Sequence, residues 1–318
     1  MRAVVVHRAG GPDVLNFETR PKPRPQKHEV RIAVKAFGLN RSELFTRQGH
    51  SPSVLFPRIL GIEAVGIIDA APGGHFSEGD IVATIMGGMG RDYDGSYAEY
   101  VCVPAQQVGR IITALPWDTL GALPEMLQTA WGSLFSSLTL KSGERLLVRG
   151  GTTSVGMAAI GLARRAGAHV TATTRNRDRT RLLYEQGAEC VIVDDGQTHA
   201  GPLKFDKVLE LVGTTTLEDS LKSADSGGVV CMAGMVGNQW SLQNFAPMDL
   251  IPNKVSLTTY SGDSDDFLKM PFQKLVDEVE AGEIAIKIGK VFKLDEIVDA
   301  HACMEANAAE GKIVIVTE

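Results

Sequence analysis

The chain reads as α/β: a β-rich first part, a doubly wound parallel sheet, and a short return segment. Three observations predict this. The first hundred or so residues hold short Val- and Ile-rich runs such as "MRAVVVH", "EVRIAVKAFGLN", "LGIEAVGIIDA", "GDIVATIM" and "YAEYVCVP", separated by Gly, Pro, Asp and Ser. That spacing is the pattern of a sandwich or partly open barrel. From about Leu115 candidate strands alternate with helical stretches, the rhythm of a parallel sheet with crossover helices. After Gly262 helical spacing returns, and Lys312–Val316 closes the chain as a strand.

Length and composition bound the function. A chain of 318 residues is long enough for two domains. The hydrophobic share of 44% and the charged share of 22% describe a folded, water-compatible chain. A net charge of −6 argues against nucleic acid as a partner, because phosphate binding needs clustered Lys and Arg. No apolar run is long enough to span a bilayer, and Met1–His7 turns polar too soon for a signal segment. The cysteines Cys102, Cys190, Cys231 and Cys303 form no CxxC pair, so a structural zinc site is not expected and reduced thiols of a cytoplasmic protein are.

The elements follow in order. "RPKPRPQKHE" is a Pro-rich surface link between early strands. A helix is predicted over Thr119–Leu138. Strands are predicted at Arg145–Arg149, His169–Thr174, Cys190–Val193, Lys207–Val212, Gly228–Met232 and Val255–Tyr260. Residues 119–261 therefore form one domain, inserted into another made of 1–118 and 262–318.

The stretch "VRGGTTSVGMAAIGLARRAG" carries the chemistry. A strand, a Gly-rich turn and a helix start make an anion site, because the first amides of a helix lack intrahelical acceptors and its dipole favours negative charge. Gly150 and Gly156 occupy the outer glycine positions of a dinucleotide turn, and Thr153 stands at the middle one. A Thr there implies a backbone that is not left-handed, or strain that is tolerated. Gly150, Thr152, Thr153, Ser154, Val155 and Gly156 are the candidate contacts, with the three hydroxyls facing phosphate oxygens. The other possibility is a plain β–α connection.

The next strand ends in "TTRNRDRTR". A cofactor with a free ribose 2′-OH calls for Asp or Glu here. Thr174, Arg175 and Arg179 stand there instead, and guanidinium suits a 2′-phosphate. The cofactor expected is NADPH. Asp178 is the contrary sign, and a solvated basic helix face is the other possibility.

With these pieces in place, the chain resembles the medium-chain dehydrogenase/reductase superfamily, and within it the zinc-free quinone oxidoreductases of zeta-crystallin type. The matching pieces are "FGLNRSELFTRQG", "LGIEAVGII", "DGSYAEYVCVP", "ALPEMLQTAWGSL", the glycine turn, "ELVGTTTLEDSL", "GGVVCMAGMVG" and "DAHACMEANAAEGKIVI", spread over nearly the whole chain. The resemblance implies a GroES-like β-barrel catalytic domain around a Rossmann domain, and a homodimer joined along the last sheet strand, near "KVSLTTYSG".

It also implies site residues. Zinc members take their first ligand from a Cys where this chain has Asn40, and their second from a His where it has Ile62. Catalytic zinc is therefore not expected. Asn40 matches an Asn near the nicotinamide, the other possibility being a turn residue that bonds its own backbone. Thr129 matches a Thr near the nicotinamide or ribose, the other possibility being a helix residue that bonds back to the preceding turn. Gly213 and Gly234 end later Rossmann strands, where nucleotides pass or where plain turn geometry calls for glycine, and Lys312 matches a position that can approach the cofactor phosphate, or is a strand-edge Lys. Phe45 and Tyr93 are pocket or core aromatics, with the acceptor pocket shaped by the loops Asn40–Pro57 and Gly87–Gly95. His301 and Glu63 read as structural. One departure is Asp194-Asp195, which stands where many members carry an Asn-Tyr pair beside the 2′-phosphate.

The reaction implied is hydride transfer from nicotinamide C4 to a small electrophilic acceptor, a quinone. The alternatives are reduction of a conjugated C=C bond in an enone, and a protein that binds NADPH without turnover.

Overall fold

The computed structural model describes residues 1–198 and 203–318. The chain divides into two compact units, Met1–Glu125 with Asp263–Glu318, and Met126–Gly262.

The first unit begins with β1 (Arg2–Val6), β2 (Leu15–Thr19), β3 (Glu29–Gly38), helix α1 (Arg41–Arg47), β4 (Arg58–Ile59), β5 (Glu63–Ala70), β6 (Ile81–Ile85), β7 (Tyr100–Pro104) and β8 (Val108–Arg110). Helix α2 (Trp117–Gly121) follows, and α3 (Pro124–Trp131) carries the chain out of the unit. The second unit holds β9 (Arg145–Arg149), α4 (Ser154–Arg165), β10 (His169–Thr174), α5 (Thr180–Glu185), β11 (Cys190–Val193), β12 (Phe205–Glu210), α6 (Leu217–Ser223), β13 (Ala224–Met232), α7 (Pro247–Leu250) and β14 (Ser256–Thr259). The chain returns with α8 (Ser264–Lys269), α9 (Phe272–Glu280), β15 (Ile288–Lys293), α10 (Ile297–Glu305) and β16 (Lys312–Val316).

The first unit is built on a sheet in the order β15-β16-β3-β5-β6-β8, with β7 also paired to β3, and on a small sheet β2-β1-β4. β3 alternates half-buried and buried residues along most of its length, as period-2 patterning requires of a strand with one face on the core. Its core gathers Val4, Val6, Ile32, Phe37, Ile68, Val82 and Tyr97.

The second unit is a six-stranded sheet, β11-β10-β9-β12-β13-β14, parallel at every pairing. This is the Rossmann arrangement, with β9 at its centre. Leu146, Leu147 and Val148 in β9 are fully buried, as a strand covered on both faces demands.

One helix and one domain boundary differ most from the sequence expectation, and β12, β13 and β14 are shifted at their ends. The helix expected over 119–138 is three pieces. Pro124 has no amide to continue α2, so α3 starts there. After Trp131 the backbone widens into a π-helical segment, Gly132–Ser137. The Tyr260 ring fills the space beside Gly132: a Cβ there would lie 1.9 Å from Tyr260 Cζ. The boundary between the units also falls seven residues later than 118, because α2 packs on β3, β5 and β16 of the first unit.

Candidate active site

The glycine turn of the second unit is built by sterics and capping. Gly150 has φ +85°, a region where side chains other than glycine are strained. A Cβ at Gly156 would lie 2.5 Å from Gly150 O, so no larger residue fits. Thr153 has φ −73° and ψ 158°, extended as a non-glycine residue prefers. Its hydroxyl donates to Gly150 O at 2.9 Å and accepts from Gly156 N at 2.9 Å. That corrects the reading of Thr153 as a phosphate hydroxyl: it is the N-cap of α4, closing the turn on itself. Thr152, Ser154 and Val155 stand at the helix start, where the dipole is positive.

Thr174 is corrected in the same way. Its hydroxyl accepts from Asn176 N at 3.1 Å and donates to Asn176 O at 3.2 Å, so it shapes the turn after β10. Arg175 follows it, exposed and with no carboxylate partner among the described residues. Arg179 ends a short 3-10 turn, Arg177–Arg179, and is half-buried.

Asp194 does not stand bare beside these arginines. It is 5% exposed and takes a bidentate pair from Arg149, Nε to Oδ2 at 2.8 Å and Nη2 to Oδ1 at 2.9 Å. Arg149, fully buried at the end of β9, also reaches Asp219 Oδ2 and Thr216 O. Next to it Glu210 ends β12. Glu210 Oε1 accepts from Val212 N at 2.6 Å and Gly213 N at 2.9 Å, and Oε2 from Thr216 and Ser220 hydroxyls. Gly213 sits at φ +106°. A Cβ at Gly234 would lie 2.4 Å from Leu211 O. Glu210 thus holds the loop that carries Gly213. The sequence reading missed both Arg149 and Glu210. Their signal was a charge at the end of a strand buried on both faces, which must find partners inside.

Thr129 lies on α3 in the second unit, half-buried. Asn40 and Lys312 lie together in the first unit. Lys312 is 2% exposed, and its ammonium donates to Asn40 Oδ1 and lies 3.3 Å from Glu63 Oε1 and 3.7 Å from Glu125 Oε2. Asn40 Nδ2 donates to Glu63 Oε1 at 2.8 Å and to Gly38 O at 3.3 Å. Both expectations change. β16 lies between β15 and β3, so Lys312 is not at an edge, and its charge is engaged by Asn40 and two carboxylates instead of facing a phosphate. Both amide hydrogens of Asn40 are engaged too, which makes it a hub of the buried cluster.

Electrostatics follow the burial. Burial works against the Lys312 ammonium, but Glu63, Glu125 and Glu43 outweigh it and hold its pKa above the usual lysine value. Glu43, on α1, is fully buried. Burial, with Glu63 repulsion added, pushes its carboxyl up to about 8. Its Oε1 accepts from Ile62 N at 3.3 Å, and Oε2 is buried without a partner. His301 is buried against the Tyr97 hydroxyl at 3.0 Å, and burial pulls it down to about 3. Phe45 is buried with its ring edge toward His50, and Tyr93 donates to Gln107 Oε1 at 3.0 Å. The zinc-ligand position at residue 62 is an Ile, whose side chain has no donor atom.

Comparison with known proteins gives the geometry a family. Residues 26–113 match the model of the alcohol dehydrogenase GroES-like domain, and residues 186–315 that of a zinc-binding dehydrogenase. The chain is 28% identical to the quinone oxidoreductase of Homo sapiens over 99% of its own length and 97% of that protein's. It is 25% identical to the acryloyl-coenzyme A reductase of Sulfurisphaera tokodaii over 99% of both. A mycobacterial protein solved in complex with NADPH shares 25% identity and superposes with a TM-score of 0.88 over the whole of both chains. With its GroES-like and Rossmann parts, and with Asn40 and Ile62 where zinc members keep ligands, the chain is an oxidoreductase of the zinc-free medium-chain dehydrogenase/reductase family, in the quinone oxidoreductase branch.

Proposed function

We propose that the protein transfers hydride from NADPH to a quinone. The observation that carries this reading is the turn Gly150–Gly156 followed by Arg175: a backbone cradle that a Cβ would fill, then a guanidinium where a free ribose would call for an acid. The relatives named quinone oxidoreductase and the neighbour solved with NADPH support it. The pairing of Asp194 with Arg149 takes one of the two acids at this position out of reach of a 2′-phosphate, and Asp195, exposed, accepts from Gln197 N.

When bound, the cofactor supplies hydride at nicotinamide C4. The chain's own residues then hold and orient. The helix start at Ser154 and Val155, with the Thr152 and Ser154 hydroxyls, would take the diphosphate. Gly213 and Gly234 let the backbone come close, and Thr129 would stand by the nicotinamide end. Arg175 and Arg179 would take the 2′-phosphate. An acceptor that is already electrophilic needs orientation and a dry pocket more than a Lewis acid. The reading includes a small-molecule acceptor, a cytoplasmic location suited to four unbridged thiols, and a homodimer through β14 at the open edge of its sheet. Among the described residues no helix is long and apolar enough to cross a membrane.

A second reading is reduction of a conjugated C=C bond, favoured by the acryloyl-coenzyme A reductase relative. Anaerobic NADPH consumption, run with 1,4-quinones and with a conjugated enal and with products identified, separates the two. Hydroquinone with the enal untouched supports the first. Saturated aldehyde as the main product replaces it with the second.

The cofactor half has its own test. Changing Arg175 and Arg179 together to Ala is expected to weaken NADPH by roughly 1.5–3 kcal/mol, the range of a charge-assisted contact, and to leave NADH nearly unchanged. Equal weakening of both cofactors in fluorescence titrations would remove these arginines from the 2′-phosphate site.

A further inference from the structure

Partly burying a guanidinium is unfavourable, and proteins offset it with a carboxylate. In the first unit Arg31, Arg47 and Arg58 follow that rule, paired with Asp69, Glu305 and Asp94. Arg41 and Arg91 do not. Arg91 is half-buried, donates Nη2 to the Ser42 hydroxyl, and buries Nε with no acceptor. Arg41, the residue before Ser42, donates to Asn307 Oδ1, and its pKa is lowered by burial with no acid raising it. Neither has a carboxylate partner among the described residues. Of the acids flanking Arg91 in sequence, Asp94 accepts from Arg58 and Ile59 N, and Asp92 is exposed. Lys312, a further cation of this unit, is engaged by Asn40, Glu63 and Glu125.

The Arg91–Ser42 bond ties together the two segments that the sequence assigns to the acceptor pocket, Asn40–Pro57 and Gly87–Gly95. The cation there is held by neutral groups alone, and its charge is not matched by a carboxylate among the described residues. We infer that Arg91 selects acceptors that carry an acid group, a carboxylate, sulfonate or phosphate attached to the conjugated carbonyl. Ser42 fixes the guanidinium through Nη2, Nε is buried, and Nη1 is left to meet the anion. This deepens the hydride-transfer reading and rests on it for the identity of the ligand as acceptor.

The test uses the full chain, wild type and the variants Arg91→Gln and Arg91→Lys, with thermal melts to confirm folding. Calorimetry without cofactor compares 1,4-naphthoquinone-2-sulfonate with 1,4-naphthoquinone, and fluorescence reads NADPH. The sulfonate is expected to bind wild type about tenfold or more tighter than the neutral quinone. Arg91→Gln should erase that preference, Arg91→Lys should keep part of it, and affinities for neutral quinone and NADPH should not move. No preference in wild type overturns the inference. So does an NADPH affinity that falls in Arg91→Gln while the sulfonate preference survives, which would assign the anion to the cofactor. Because binding is read without turnover, failure of hydride transfer to any quinone would strike the functional reading and not this one.

Discussion

Replacing Lys312 by Met is expected to destabilise the first unit by about 3–5 kcal/mol, the usual cost of removing one partner from a buried ion pair. The ammonium is enclosed among Asn40 Oδ1, Glu63 Oε1 and Glu125 Oε2, and Glu63 itself is fully buried. Without the cation, Glu63 keeps donors from Asn40 and Glu125 N but faces Glu125 as a like charge. Methionine fills the volume of the lysine stem, so little of the effect comes from packing. The double variant Lys312→Met, Glu63→Gln should recover part of the loss, since it removes the uncompensated charge. Urea denaturation at pH 7 of the wild type, the single and the double variant measures this. A single variant within about 1 kcal/mol of wild type would mean that Lys312 is not the cation holding this cluster together.

Glu43 gives a large effect that depends on pH. Its carboxyl is pushed up to about 8 in the folded chain, against an ordinary value near 4.5. Below the ordinary value the group is neutral in both states and costs nothing. Between there and about 8 the unfolded chain ionises and the folded chain does not, so stability falls as pH rises, and it levels off above 8. The whole loss is on the order of 3–6 kcal/mol, because each tenfold change in proton affinity is worth about 1.4 kcal/mol. Glu43→Gln should flatten this slope, so the variant gains on wild type between about pH 5 and pH 8. His301 acts in the other direction: its folded value of about 3 lies below the ordinary 6.5, so its contribution is complete above 6.5 and is lost as pH falls toward 3. Identical pH slopes for wild type and Glu43→Gln in urea titrations would show that Glu43 is not the neutral buried acid.

The recognisable parts of the site were those set by neighbours in the chain. The strands β9, β10 and β11 have the ends that the sequence predicts; runs such as "RLLVR" in β9 declare a strand buried on both faces, and β11, at the sheet edge, is a short β-branched run. The glycine turn was legible for a similar reason: Gly150 and Gly156 are required by positive φ and by a 2.5 Å approach within seven residues. The hydroxyls of Thr153 and Thr174 were misread because a side chain that bonds its own turn and one that faces a ligand look the same in sequence. Only atomic distances separate them.

The sequence by itself determined the order of elements, the Rossmann turn, the arginines after β10 and the absence of ligand atoms at residue 62. Each follows from short-range periodicity, local sterics or residue chemistry. The tertiary structure decided which charges are engaged. Lys312 meets Asn40 across 272 residues, Arg149 meets Asp194 across 45, and Arg91 meets Ser42 across 49. No local pattern encodes those pairings, because a buried charge is satisfied by whatever the fold brings within about 3 Å of it. The same closure that engaged Lys312, Asn40 and Asp194 left Arg41 and Arg91 with neutral partners only.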